Sequence, residues 1–584
     1  MHARLHPTTS PEPGPLRVRP WQVVGLSLLL LALGVVQALA MAWPFAGEFQ
    51  GQPSGLLQIF SLTGFAYLLR TSASTQQAFW RGWCFATGWL VAGTWWLYIS
   101  MHDYGGMPAS LAALAVLLLG AGVALFYAFA SGVYHWACNR STSTAPVCAS
   151  AKRSSTFTSA FAFAAVWLLA ELTRGNLWTG FPWAAAGYAH VDSALREWAP
   201  WVGVYGLSAI SAWASMLAAI ACQRLQHRDT NNSSTSATTW LGLLCLCVLA
   251  LTWVTSPLRH ANRQAHTNTP GISVTLLQGN VPQDLKFGAG VAMALSDYRQ
   301  ALIDNTSDLI VTPETALPLL LDALPDGYWQ RLQQRYATGE QAALIGLPLR
   351  AAAPALPLSA TNTTGSGTNS NSTPLQAPSP QYTNSALALL PGEPAPSYRY
   401  DKHHLVPFGE FVPPMFHWFV QLMNIPLGDF SRGTVAQPSL LWHGERIAPN
   451  ICFEDLFGEE LAQSFANPAS APTLLLNLSN IAWFGNTVAI DQHLHISRMR
   501  SLELGRPMLR ATNTGATAII DAQGVVTHRL PSGVQGALTA QVRGVDGPPT
   551  PYARWVSAWG LWPLAVWAAC VLGAVAWRTR RFAP

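Results

Sequence analysis

Charge is what this sequence has least of: aspartate, glutamate, lysine and arginine make up 10% of its 584 residues, against about 25% in soluble proteins. So low a fraction argues against an ordinary cytosolic enzyme. Lysine is scarcer still, with Lys152, Lys286 and Lys402 the three among 33 cations. The arginines sit near the ends of hydrophobic segments and the net charge is only +5, so nucleic acid is not an expected partner. Paired cysteines are missing as well. Of eight cysteines, Cys452 alone stands in the large polar region, and neither a disulfide framework nor a CxxC with partner histidines for zinc is present.

What the chain has in quantity is apolar and aromatic. Half of it is hydrophobic and 25 residues are tryptophan, a side chain whose apolar ring and polar N–H suit a membrane interface. Apolar runs at 21–43, 56–69, 79–99, 110–137, 157–172, 198–222, 240–255 and 555–577 predict a bundle of about eight transmembrane helices. The runs 56–69 and 157–172 are short of the usual span of about 20 residues and read as broken or bundle-buried segments. Residues 1–20 are polar and proline-rich with no small-residue cleavage site, so the first run is expected to remain as an anchor.

Arg17, Arg19, Arg70, Arg81, Arg224 and Arg578 all fall on one side of this arrangement, which the positive-inside rule makes cytoplasmic. The expected organisation is a cytoplasmic tail (1–20), a membrane domain with about seven helices (21–256), a periplasmic domain (257–554), a last transmembrane helix (555–577) and a cytoplasmic tail (578–584).

The long polar segment reads as α/β. Apolar or β-branched runs at 272–277, 309–311, 343–347, 386–390, 447–451, 473–476 and 516–520 predict strands, and 292–305 and 487–504 have helical spacing. Alternation of the two favours a layered domain. Residues 351–381, rich in Pro, Ser, Thr, Asn and Gly, cannot bury much apolar surface and are expected to form a disordered insertion.

Three strand ends carry chemistry. Val311-Thr312-Pro313-Glu314 ends an apolar run with a carboxylate; partial burial would raise its pKa and make it a general base, while solvation would make it an ordinary loop glutamate. The stretch from Tyr400 to Glu410 holds Lys402, a lysine where the chain prefers arginine. A compact ammonium suits a developing oxyanion and can lower the pKa of a neighbouring thiol; the alternative is a surface cation. Adjacent His403 and His404 point to different sides of a strand without a further ligand set, so no metal is expected. Ile451-Cys452-Phe453-Glu454 puts a lone thiol at the turn after a strand. In that geometry the nucleophile is exposed and the next N–H, that of Phe453, points at the same oxygen.

Glutamate, lysine and cysteine in this order at three strand ends resemble the triad of the nitrilase superfamily. Segments 277–282, 400–413, 479–485 and 505–515, with the flanking apolar runs, make the chain resemble bacterial apolipoprotein N-acyltransferases over nearly its whole length. The resemblance implies an α-β-β-α sandwich on a multi-span membrane bundle. It also implies Glu314 as general base, Lys402 as oxyanion stabiliser and Cys452 as acyl-bearing nucleophile, with Glu410, Glu454 and the Trp483 of SNIAWFG in support. Phe287 stands where the family places a tryptophan thought to hold the acyl chain, Phe453 replaces a tyrosine, and Ile481 an acid. The activity implied moves an acyl chain from the sn-1 ester of a phospholipid, through a thioester, to the α-amine of an S-diacylglyceryl cysteine of an apolipoprotein, with no cofactor. A membrane-anchored amidase or nitrilase, in which water resolves the thioester, is the alternative. The loop around Gly180-Phe181-Pro182-Trp183 is a candidate lipid entrance, with a plain interfacial aromatic belt as its alternative.

Overall fold

The computed structural model describes residues 20–139, 156–226, 270–286, 288, 290–351, 381–413 and 430–581. Two parts, one helical and one built on sheets, share a continuous buried region.

In the helical part, Pro20–Leu39, Ala109–Cys138, Thr156–Asn176 and Ala194–Gln226 are long and apolar enough to cross a membrane. The pair Pro551–Trp559 and Trp562–Arg578, bent by 88°, raises the number among the described residues from 4 to at most 5, fewer than the eight runs of the sequence. The differences have local causes. Run 56–69 becomes the 16-residue helix Gly55–Arg70. Run 79–99 becomes Thr75–Gly93, which begins on an N-cap from Ser74 and carries Thr75, Gln76, Gln77 and Arg81. Run 240–255 lies outside the described residues. The run at 157–172, read as short, is a helix of 21 residues, Thr156–Asn176. The last run does not start a single helix at 555: Gly560, at φ 56°, takes the left-handed conformation that glycine tolerates, and the chain turns there before Trp562.

Inside the bundle, stacked Trp89 and Trp167 rings lie 5.6 Å apart and Phe65 and Phe85 4.3 Å apart. Outside, Trp21, Leu28, Leu118 and Phe129 are exposed. An apolar exterior over an aromatic interior is what a lipid solvent permits and water does not.

The sheet part holds two six-stranded sheets. The first is ordered β12-β1-β2-β3-β4-β5, with β1 Ile272–Gln278, β2 Leu309–Val311, β3 Ala342–Arg350, β4 Tyr382–Leu389, β5 Arg399–Asp401 and β12 Gly536–Val542. The second is ordered β11-β10-β9-β8-β7-β6, with β6 Leu440–Trp442, β7 Glu445–Ile451, β8 Leu474–Ser479, β9 Met508–Thr512, β10 Ala518–Ile520 and β11 Val526–Arg529. In each sheet three central strands are parallel, β1-β2-β3 and β7-β8-β9, and the outer pairings are antiparallel. The sheets face each other across Val274, Leu276, Leu309, Val311 and Leu344 on one side and Ile447, Ile451, Leu476, Leu478 and Leu509 on the other. Strands buried on both faces read as continuous apolar runs, which is why most of them were visible in the sequence.

Helices Val291–Asp304 and Tyr328–Ala337 cover the outer face of the first sheet through Tyr298, Leu302, Leu332 and Tyr336. The second of these helices was not expected from the sequence. Helix Ala489–Leu504 covers the second sheet, and its other side meets Trp183, Tyr188, Val204 and Tyr552 of the helical part. Buried on all sides, it keeps its polar residues by pairing them, as in the 3.0 Å Arg500–Glu503 ion pair.

Candidate active site

The carboxyl ends of the parallel strands point to one edge, where ligands bind in open α/β sheets. Glu314 follows β2. Thr312 donates its N–H to Leu344 at 3.0 Å and accepts the Gly346 N–H on its hydroxyl at 2.9 Å, fixing the turn to β3. A Cβ on Gly346 would lie 2.2 Å from the Pro313 carbonyl and 3.1 Å from Glu314 Cα, so glycine is required for the glutamate to sit here. Lys402 follows β5, and its main-chain N–H is held by the Asn384 carbonyl at 2.8 Å. Cys452 follows β7 with φ 53°, a sharp turn that a non-glycine residue adopts only where its surroundings hold it.

These strand ends converge. Lys402 Nζ lies 3.1 Å from Glu314 Oε1 and 2.9 Å from Glu410 Oε2. Asn384 Nδ2 donates to both Glu314 Oε1 and Glu410 Oε1 at 2.7 Å, and the Asn480 N–H reaches Glu314 Oε2 at 2.8 Å. Glu410 Oε2 accepts the Val406 N–H at 2.8 Å, closing the loop it ends. Glu454 is buried between the lysine and cysteine loops: Oε1 accepts the N–H of His403 at 2.6 Å and of His404 at 3.2 Å, while Oε2 accepts the Ile451 N–H at 2.6 Å and the Tyr400 hydroxyl at 2.9 Å.

The electrostatics differ from the sequence expectation in two ways. Burial pushes Glu314 up, but Lys402 and Lys286 outweigh it and hold the carboxyl below its usual range, so it rests ionised and ready to accept a proton. Burial and then Glu314 push the Cys452 thiol up to about 12 against the pull of Lys402, so the lysine does not by itself maintain a thiolate. Burial works against the Lys402 ammonium, yet Glu314 and Glu410 hold its pKa above the ordinary lysine value. A fixed cation, an ionised carboxylate and a neutral thiol in one buried space are the groups that covalent catalysis with proton removal from sulfur requires.

The remaining sequence candidates take other places. Phe453 is buried, its ring 5.4 Å from Phe457 and 5.7 Å from His404. Trp483 is edge-on to Tyr104 at 6.1 Å, while its neighbour Phe484 packs 4.2 Å from Trp96. Ile481 is buried in the region shared by the two parts, a setting that suits an apolar side chain. Phe287 lies outside the described residues. His403 Nδ1 faces the Gly433 carbonyl at 2.8 Å, and His404 sits between Glu460 Oε1 and the Thr179 carbonyl, each at 2.9 Å. The latter contact ties the 174–183 loop to the catalytic edge, with Trp178 92% exposed at its tip. Sequence reading missed Lys286, whose Nζ donates to the Glu314 carbonyl at 3.1 Å, and the asparagines Asn384 and Asn480. The rarity of lysine was a usable signal for the first; nothing marked Asn384 within its strand.

Residues 37–217 match the model of the apolipoprotein N-acyltransferase N-terminal domain, and residues 273–546 that of carbon-nitrogen hydrolases. An apolipoprotein N-acyltransferase of Verminephrobacter eiseniae is 48% identical over 551 residues, which cover 91% of this chain and 92% of the relative. This chain belongs to the apolipoprotein N-acyltransferase family. Further members, from Ralstonia nicotianae (45% identity, covering 85% of each chain) and Bordetella bronchiseptica (37%, covering 90% of this chain and 92% of the relative), match over similar lengths. The two-sheet sandwich with Glu, Lys and Cys at its strand ends is the carbon-nitrogen hydrolase half of an apolipoprotein N-acyltransferase, and the apolar helices between residues 37 and 217 are its N-terminal half.

Proposed function

We propose that the protein transfers an acyl chain from the sn-1 ester of a phospholipid to the N-terminal S-diacylglyceryl cysteine of apolipoproteins, with Cys452 carrying the chain in between. Family membership supports the activity. The observation that carries the residue roles is the convergence of Glu314, Lys402 and Cys452 from three strand ends at one buried edge.

In the first half-reaction Glu314 takes the thiol proton as sulfur attacks the ester carbonyl. The π pair moves to oxygen, where Lys402 and the Phe453 N–H stabilise it. Collapse breaks the ester C–O bond, the leaving alkoxide takes the proton from Glu314, and a lysophospholipid departs from a thioester. In the second half-reaction the acceptor amine attacks, gives a proton to Glu314 and forms the amide, and the thiolate leaves and is reprotonated. The ester already supplies the activated acyl group, so no cofactor or metal takes part. Glu410 and Glu454 hold Lys402 and the two loops in place; Trp483 and Phe287 keep the supporting roles toward the acyl substrate that the family resemblance implies.

The chain is placed in the bacterial inner membrane with about eight spans and the catalytic domain in the periplasm, because the arginines gather on the opposite side. Both substrates keep their tails in the bilayer, which accounts for an enzyme embedded there.

Intact-mass analysis after incubation with phospholipid tests the reading. A fatty-acyl increment removed by hydroxylamine and absent from Cys452→Ala is expected; an increment that persists in the variant would overturn the nucleophile.

A further inference from the structure

Lys286 is one of three lysines in the chain, is 4% exposed, and has no part in the mechanism above. Its Nζ donates to the main-chain carbonyl of Glu314 at 3.1 Å. The other neighbours that bear on its charge are Glu314 and Cys452; Asp284, two residues earlier, is exposed.

The charges of the buried site do not balance without it. Glu314 and Glu410 face Lys402 at 3.1 and 2.9 Å, leaving one uncompensated negative charge among these three groups, and the buried Glu454 carboxylate, held by its own four donors, does not offset it. When the thiol proton moves to Glu314 and the negative charge passes to the tetrahedral oxygen, the excess stays at one, now on the atom whose stabilisation sets the rate. Buried charge without a counter-ion is costly.

We propose that Lys286 is a second cation of this site, a positioning residue that offsets the excess negative charge of the Glu314–Glu410–Lys402 cluster and holds the Glu314 backbone while the oxyanion forms. The proposal rests on the residue roles assigned above. Burial lowers Lys286 to about 8, against the opposing pull of Glu314 and Cys452, so its charge is lost as pH rises through that region, and acylation falls with it.

The test follows single-turnover acylation of the full chain in phospholipid-detergent micelles, read by intact mass from pH 6 to 9.5. Gln in Lys286→Gln keeps a donor for the Glu314 carbonyl and loses the charge; Arg in Lys286→Arg keeps the charge at every pH used. Lys286→Gln is expected to acylate about 100-fold more slowly than the unaltered protein at neutral pH. Lys286→Arg is expected to recover most of that rate and to lose the fall above pH 8. A Lys286→Gln rate within about threefold of the unaltered protein would overturn the proposal, since hydrogen bonding alone would then suffice. A persistent alkaline fall in Lys286→Arg would overturn it too, and that readout stands even if the glutamine variant does not fold. Cys452→Ala separates the two levels: acylation surviving in it sinks the residue roles, whereas its loss together with an unaffected Lys286→Gln sinks only the role of Lys286.

Discussion

The carboxylate of Glu454 accepts the His403 N–H at 2.6 Å with one oxygen and the Ile451 N–H at 2.6 Å with the other, so one side chain sets the distance between the loops of Lys402 and Cys452. Both oxygens receive donors, and an amide cannot replace them without turning its NH2 toward an N–H. Glu454→Gln is therefore expected to slow thioester formation by about 100-fold while the protein stays folded. Equal single-turnover rates for the variant and the unaltered protein would exclude this clamp.

Glu410 shares Lys402 with Glu314. Removing its charge in Glu410→Gln leaves the ammonium paired with the base alone, drawing it toward Glu314 and away from the reacting oxygen. A fall of about 100-fold in acylation is expected, with the secondary structure by circular dichroism unchanged.

The thiol, pushed up to about 12, predicts slow alkylation. At pH 8 the thiol form then dominates, so iodoacetamide labelling of Cys452 should rise about tenfold per pH unit through the neutral range. Glu314→Gln removes a negative neighbour and the base together. Labelling should then shift to lower pH while thioester formation is lost, a split that mass spectrometry reads in one sample.

Gln492 joins the two halves of the protein. Its Oε1 accepts the indole N–H of Trp96 at 3.0 Å and of Trp183 at 2.8 Å, and its Nε2 donates to the Gly93 carbonyl at 3.2 Å. Gln492→Leu strands the buried indole N–H of Trp183, while that of Trp96 keeps the Gly93 carbonyl at 3.1 Å, and is expected to cost about 1–3 kcal/mol, measured as a lower unfolding temperature in detergent. No change would mean that Trp183 finds another acceptor.

His495 donates through Nε2 to the Gly51 carbonyl at 2.7 Å, and its Nδ1 faces Arg498 at 3.3 Å, so the folded state holds it neutral. Burial, then Arg498, lower it to about 4 from 6.5. Between those values the unfolded chain binds the extra proton, and stability falls as pH drops from 6.5 toward 4. His190, lowered to about 4 by burial, adds to the same slope. His495→Gln should flatten the dependence of the unfolding temperature on pH in that window; an unchanged slope would remove His495 as a source.

The sequence was legible where burial was uniform or chemistry rare. Buried parallel strands such as β2 and β7 are apolar throughout, Lys402 stands out in an arginine chain, and Cys452 is the one thiol of the polar region. Glu314, Lys402 and Cys452 were found that way, and the structure brings them to one edge. Helix Tyr328–Ala337 escaped notice because it is short and buries only one face, through Tyr328, Trp329, Leu332 and Tyr336. The bend at Gly560 was hidden inside an apolar run whose composition is the same on both sides of it.

The sequence alone determined the class of the protein, its apolar and catalytic halves and the three strand ends that carry reactive groups, because apolar periodicity and rare residues are local properties. Only the tertiary structure decided the direction of the Glu314 shift, the clamp by Glu454 and the presence of Lys286. Each depends on which charges and N–H groups from distant segments share one buried space, and electrostatic energy there is set by distance and dielectric rather than by position along the chain.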